Sequence, residues 1–149
     1  MNPTVVVLPD VDPPAAGLPE LATYLQFSKR VDECRDSVLA FLAGAKREGR
    51  RVAAYGAAAK GNTLMNFCGI TAGDIAFVAD RNPHKQNKFL PGTHIPVVSP
   101  EHLMQSRPDY VLILPWNLSA EIRQQLGGIK NWGGRFVTPV PLARVDPLP

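Results

Sequence analysis

The chain has 149 residues, of which 45% are hydrophobic and 19% charged, with a formal net charge of +3. That length suits one domain, able to bury roughly 70% of the surface its unfolded chain exposes without a metal or disulfide staple. The balance of apolar and charged residues is that of a globular protein, and no run reaches the ~20 apolar residues of a membrane span, so no membrane partner is expected.

Residues 1–17 hold the apolar run Val5-Val6-Val7-Leu8, too short for a leader, followed by Pro9-Asp10-Val11-Asp12-Pro13-Pro14. Proline fixes φ and donates no ladder bond, so this stretch reads as an arm or linker, with Val5 to Leu8 available as an edge strand. From Pro19 to Gly49 the residues Leu21, Tyr24, Leu25, Val31, Val38, Phe41, Leu42 and Ala45 recur at spacings of three, four or seven. That periodicity predicts one long helix, with Pro19 in its first turn and Gly49 just past its end. Lys46-Arg47 and Arg50-Arg51 are the only dense basic spot and sit where cations complement a helix dipole. Nucleic-acid binding needs a longer basic face with interleaved aromatics, so no nucleic-acid partner is expected.

Arg51 to Gly56 predicts a first strand, short and apolar as in a parallel sheet buried on both faces. Asn62 to Cys68 reads as a helix and Asp74 to Asp80 as a second strand. Arg81 to Thr93 reads as a long polar loop, and Ile95 to Ser99 as a short third strand. A helix follows from Pro100, capped by Ser99. Tyr110 to Pro115 is the fourth strand, Leu118 to Leu126 a helix capped by Asn117, and Arg135 to Val140 the fifth strand. Residues 142–149 read as a tail. Cys34 and Cys68 lie in helical patterns without metal-ligand spacing; they predict free thiols in a reducing, cytoplasmic setting.

Strands alternate with helices and few hairpin signals intervene. The expected class is therefore α/β: a Rossmann-like, open, mostly parallel sheet of about five strands with flanking helices, preceded by the long helix. In such sheets ligands bind beyond the carboxyl ends of the strands. That rule selects Gly56, Ala57, Lys60, Gly61, Asn62 and Thr63 after the first strand, Asp80, Arg81 and Asn82 after the second, and Trp116 and Asn117 after the fourth.

The first loop leads into a helix N-terminus, whose free N–H groups and dipole favour an anion, and Lys60 adds a point charge. It matches neither G-x-G-x-x-G, because Ala58 stands at the middle glycine, nor a Walker loop, because Lys60 precedes Gly61. Asp80 stands where dinucleotide folds place a ribose-binding acid, Arg81 where it can meet a phosphate, and Trp116 offers a stacking face. His84, His94 and His102 lack zinc-ligand spacing, and no nucleophile–base set or carboxylate pair assembles. The residues thus point to a binding site without catalytic or metal-ligating members. A nicotinamide-type domain is the competing reading, and the absent middle glycine counts against it.

Five ordered segments carry a resemblance: YGAAAKGNTLMN from Tyr55, DRNPHKQ from Asp80, LPGTHIPV from Leu90, RPDYVLILPWN from Arg107 and WGGRFVTPVP from Trp132. Together, over residues 18–141, they resemble the C-terminal domain of the S-adenosylmethionine-dependent sugar C-methyltransferases. The resemblance implies a nucleotide-sugar partner of the dTDP type, methylated at a ring carbon during deoxysugar biosynthesis. It implies that S-adenosylmethionine and zinc belong to other parts of the family's enzymes, so this chain is expected to bind no cofactor and to need a separate S-adenosylmethionine-binding chain for catalysis. The alternative is a free-standing nucleotide-sugar-binding module. Asn87 stands where the family pattern leads one to expect glycine, which should alter the loop's backbone options.

Overall fold

The structure, a computed structural model, describes residues 20–148, so the arm, the Val5–Leu8 run and Pro19 lie outside the described residues. The described chain divides between Asp32 and Glu33 into two units. Helix α1 (Leu21–Arg47) crosses that boundary. In the first unit, Leu21, Tyr24, Leu25 and Phe27 are exposed, although the periodicity counts the first three as packing residues. Periodicity identifies an apolar stripe but not what covers it. In the second unit, Val38, Leu42 and Ala45 of the same helix are buried. The helix ends as expected: Gly49 takes φ +65° and the Arg50 N–H closes on the Ala45 carbonyl at 2.8 Å.

The second unit is built on one seven-stranded sheet. Its strands are β1 (Val52–Tyr55), β2 (Val78–Ala79), β3 (Lys88–Phe89), β4 (Pro96–Val98), β5 (Tyr110–Ile113), β6 (Arg135–Thr138) and β7 (Arg144–Val145), in the spatial order β3-β4-β2-β1-β5-β6-β7. The five central strands are parallel, and β3 and β7 add antiparallel edges. From β1 the chain steps outward through β2 to β4, then crosses back to β5 on the other flank of β1. The order therefore reverses between β1 and β5, which makes the carboxyl ends of those two strands the crevice of an open sheet.

Alternation along β1 assembles two cores. Val52 and Ala54 face the layer holding Val38, Leu42 and Ala45 of α1 and Met65 of α2 (Ala59–Phe67). Ala53 and Tyr55 face Leu103 of α3 (Pro100–Ser106), Ile122 of α4 (Ser119–Gln125) and Ile129 of the 3₁₀ turn Gly127–Trp132. The side chain of Ser99 caps α3, with Pro100 in the first turn, as its sequence predicts.

Two edge strands were not legible. The expected polar loop 81–93 contains β3, and the expected tail contains β7. Each is two residues long, too short to show a period, and β3 exposes both its side chains. The second strand is also shorter than expected, but the Ala54 N–H still reaches the Phe77 carbonyl at 2.9 Å and the Ala76 N–H the Val52 carbonyl at 3.1 Å.

Candidate functional site

The loop after β1 is shaped by close approach. Gly56 has φ +90°, and a Cβ there would lie 2.4 Å from Cγ of Pro115. Only glycine fits both the backbone angle and the space. The chain enters α2 at Ala59, three residues before the helix expected from the sequence, so Lys60, Gly61, Asn62 and Thr63 are helical. A Cβ on Gly61 would sit 2.6 Å from Cβ of Leu114, so this glycine lets helix and strand close together, the role of the last glycine in a dinucleotide-binding loop. Ala58 at the N-cap has no side chain to cap the helix. Among the described residues the N–H groups of Ala59, Lys60 and Gly61 meet no acceptor, and the first to do so is that of Asn62, 2.9 Å from the Ala58 carbonyl. Three donors and the positive end of a dipole thus face outward.

The loop after β2 is a brace and a rim. Asp80 is buried, and its two oxygens accept the N–H groups of Ala57 at 2.7 Å and Asn82 at 2.8 Å. Lys85 Nζ adds an ion pair at 3.4 Å and donates to the Ala57 carbonyl at 2.8 Å, while Gln86 donates to the Asp80 carbonyl at 2.8 Å. Asp80 stands where a ribose-binding acid stands in dinucleotide folds, but here its carboxylate ties two loops together. Asn82 turns its own loop, its Oδ1 accepting the His84 N–H at 2.9 Å. Arg81 is exposed and has no hydrogen bond or ion pair among the described residues. Asn87 has φ +60°, the left-handed conformation that glycine takes freely, so asparagine there preserves the backbone path instead of altering it.

After β5 the chain makes a 3₁₀ turn over Trp116–Leu118. Asn117 does not cap α4, whose N-cap is Leu118. The intervening turn carries Asn117 toward α2, where Lys60 Nζ donates to its Oδ1 and lies 5.0 Å from the Trp116 ring centroid. A crevice of about 180 Å³ opens between these loops, and Gly56, Asp80 and Arg81 line it as the sequence anticipates. Tyr55, Glu121 and Gln125 also line it and were not anticipated. The signal was available: Leu118, Glu121, Ile122 and Gln125 are spaced as one face of a helix leading from the strand end. Burial pushes the Tyr55 hydroxyl pKa up, so it remains a proton donor at neutral pH.

Ala57, Lys60, Gly61, Asn62, Thr63, Asn82, Trp116 and Asn117 are not among the residues lining this crevice. The Thr63 hydroxyl donates to the Ala59 carbonyl at 3.1 Å, and Asn62 Oδ1 is buried without a partner among the described residues. The histidines stand apart in role: His94 packs on Phe89, His102 meets Phe77 edge-on, and His84 lines a neighbouring pocket. Among the described residues, no group of three or more His, Cys, Asp or Glu is placed to hold a metal. No helix of the described chain is long and apolar enough to cross a membrane. The assembled chemistry is a set of N–H donors at the start of α2, an exposed cation at Arg81 and polar side chains at Tyr55, Glu121 and Gln125.

Comparison with known proteins adds two findings. Residues 12–141 match the family described as the C-methyltransferase C-terminal domain. The chain is 39% identical over 129 residues to "C-methyltransferase NovU" of Streptomyces niveus, an alignment covering 87% of this chain and 31% of that protein. The chain thus spans about a third of the length of this curated relative.

Proposed function

This chain belongs to the C-methyltransferase C-terminal domain family, and from that premise we propose that it holds the nucleotide end of a dTDP-keto-deoxysugar for a C-methyltransferase. The observation that carries the proposal is the uncapped start of α2, where three free N–H groups lie in the helical turn that also bears Lys60. A diphosphate satisfies such donors with charge-assisted hydrogen bonds. Lys60 is already steered by Asn117 and Trp116, and Arg81, exposed on the crevice, is a second cation for an anion held at the loop after β1. Tyr55, Glu121 and Gln125 offer donors and acceptors to sugar hydroxyls.

Methylating a ring carbon beside a keto group needs a base, an oxyanion stabiliser and a methyl donor. In this proposal those come from a separate S-adenosylmethionine-binding unit, while the present chain uses remote binding energy to position the sugar. Titration calorimetry with dTDP, a dTDP-sugar, NAD and S-adenosylmethionine tests it. dTDP and the dTDP-sugar should bind, and Lys60→Ala should weaken both by about tenfold without lowering the melting temperature. Binding of S-adenosylmethionine or NAD with no binding of dTDP would overturn the proposal.

A further inference from the structure

A second pocket lies across the β1 loop from the crevice. Gly56 lines the crevice and Ala57 lines the pocket, so the two share one wall. The pocket measures about 280 Å³ and opens between that loop and the β3–β4 edge. Its apolar side is formed by Phe89, Leu90, Pro91 and Val97, and its polar rim by His84, Lys85 and Lys88. No carboxylate is among its described lining residues, although Asp80 pairs with Lys85 at 3.4 Å.

The rim is built rather than accidental. Lys85 is held by the Ala57 carbonyl and Asp80, and the chain beyond it is pinned by the Asn87 N–H on the Val97 carbonyl at 2.9 Å. The left-handed backbone at Asn87 turns Lys88 and Phe89 into the edge strand that forms the pocket wall. The side chains of His84 and Lys88 have no hydrogen bond or ion pair among the described residues, and Phe89 is 61% exposed, its ring tilted against His94 at 5.7 Å. One fixed lysine, Lys85, and one unpaired lysine, Lys88, beside an exposed aromatic residue suit a flat ring carrying a phosphate.

The crevice differs in character. Arg81 and Glu121 both line it, the Asp80 carboxylate is taken up by the Ala57 and Asn82 N–H groups, and Gln125 donates to Glu121 at 2.6 Å, which leaves Glu121 and the Tyr55 hydroxyl to meet sugar hydroxyls. Either space alone lies below the ~300–1,000 Å³ usual for a whole ligand pocket. A ligand laid over the Gly56–Ala57 wall has room in both.

We propose that the pocket of His84, Lys88 and Phe89 takes the nucleoside phosphate end of the ligand and that the Tyr55–Glu121–Gln125 crevice takes its sugar. This assignment rests on the nucleotide-sugar reading above. It adds the direction in which the ligand lies and makes Lys88 and Phe89 determinants of affinity for the nucleotide alone.

The test uses the full chain with dTMP, dTDP and a dTDP-sugar, followed by calorimetry and by the NMR shift of the thymine methyl. Phe89→Ala and Lys88→Ala should each weaken dTMP and dTDP by about tenfold, both side chains being exposed and dispensable for folding. Phe89→Tyr should retain binding and the upfield ring-current shift. Glu121→Ala should weaken the dTDP-sugar but not dTMP. If dTDP binds and is weakened by Lys60→Ala, yet Lys88→Ala and Phe89→Ala leave dTMP and dTDP unchanged, the pocket assignment falls and the nucleotide-sugar reading stands. If none of the three ligands binds, both fall.

Discussion

The two ends of the parallel sheet are made from similar residues and are opposite in electrostatic finish. At the amino end, Arg50, Arg51, Asp109 and Arg135 are paired or bonded. Asp109 accepts the Arg51 N–H at 2.8 Å and Arg50 at 3.0 Å; Arg51 donates to the Arg107 carbonyl at 2.8 Å; Arg135 donates through Nε to the Asp146 carbonyl at 2.7 Å. Even the Trp132 N–H is satisfied, by the Pro108 carbonyl at 3.0 Å. At the carboxyl end the backbone is held as firmly, through Asp80, but among the described residues the side chains of Arg81, His84 and Lys88 have no hydrogen-bond or ion-pair partner and a helix starts uncapped. Unsatisfied donors cost stability when nothing answers them. The carboxyl end is therefore where cations and backbone donors stand available.

The largest expected effect comes from Gly56, because the open end depends on its backbone. Gly56→Ala would put a methyl 2.4 Å from Pro115 at φ +90°. Strain and overpacking together should cost about 3 kcal/mol, read as a lower denaturant midpoint at unchanged slope. Affinity for dTDP should fall at the same time, since the shared wall of both spaces is displaced. A variant with normal stability would show that the loop and Pro115 do not meet in solution.

Asp80→Asn comes next, and it separates brace from ligand. The asparagine keeps the shape but turns one acceptor into a donor facing an N–H of Ala57 or Asn82, and it leaves Lys85 without its counter-charge. The expected cost is about 2 kcal/mol. If the carboxylate acts only as a brace, dTDP and its 2′-hydroxylated counterpart 5-methyluridine diphosphate should weaken by the same factor. A selective loss of the ribonucleotide would return Asp80 to the ribose-binding role its sequence position suggests.

That ambiguity shows what the chain reveals unaided. The central strands were legible because short apolar runs ending at Gly56, Asp80 and Pro115 are what parallel strands buried on both faces require. The candidate ligand end followed from topology alone. Side-chain direction did not: Asp80 was placed correctly along the chain, but whether it faces the ligand or the Ala57 N–H depends on contacts 23 residues apart. Asn117 was read as a helix cap until the 3₁₀ turn moved the cap to Leu118 and released its amide to Lys60. The edge strands β3 and β7 escaped because two residues carry no period, and with β3 went the significance of Lys88 and Phe89.

The smallest effect belongs to the closed end, and it tests the contrast from the other side. Burial alone would raise the Asp109 carboxyl, but the Arg51 N–H and then the Arg50 guanidinium outweigh it and hold the group below the usual carboxylate range. A carboxylate depressed in the folded state stabilises the fold above its unfolded pKa, and that contribution is lost as pH falls through the folded value. Asp109→Asn should therefore lower stability near neutrality by no more than about 1 kcal/mol, as expected for a partly exposed pair. The difference from the unaltered chain should shrink as a melting-temperature series is carried into acid. Affinity for dTDP should not change, because the amino ends of β1 and β5 lie across the sheet from the crevice. If Asp109→Asn weakened dTDP as much as Lys60→Ala, the division of the sheet into a closed end and a binding end would be wrong, since a pair removed from one end would be acting on a ligand held at the other.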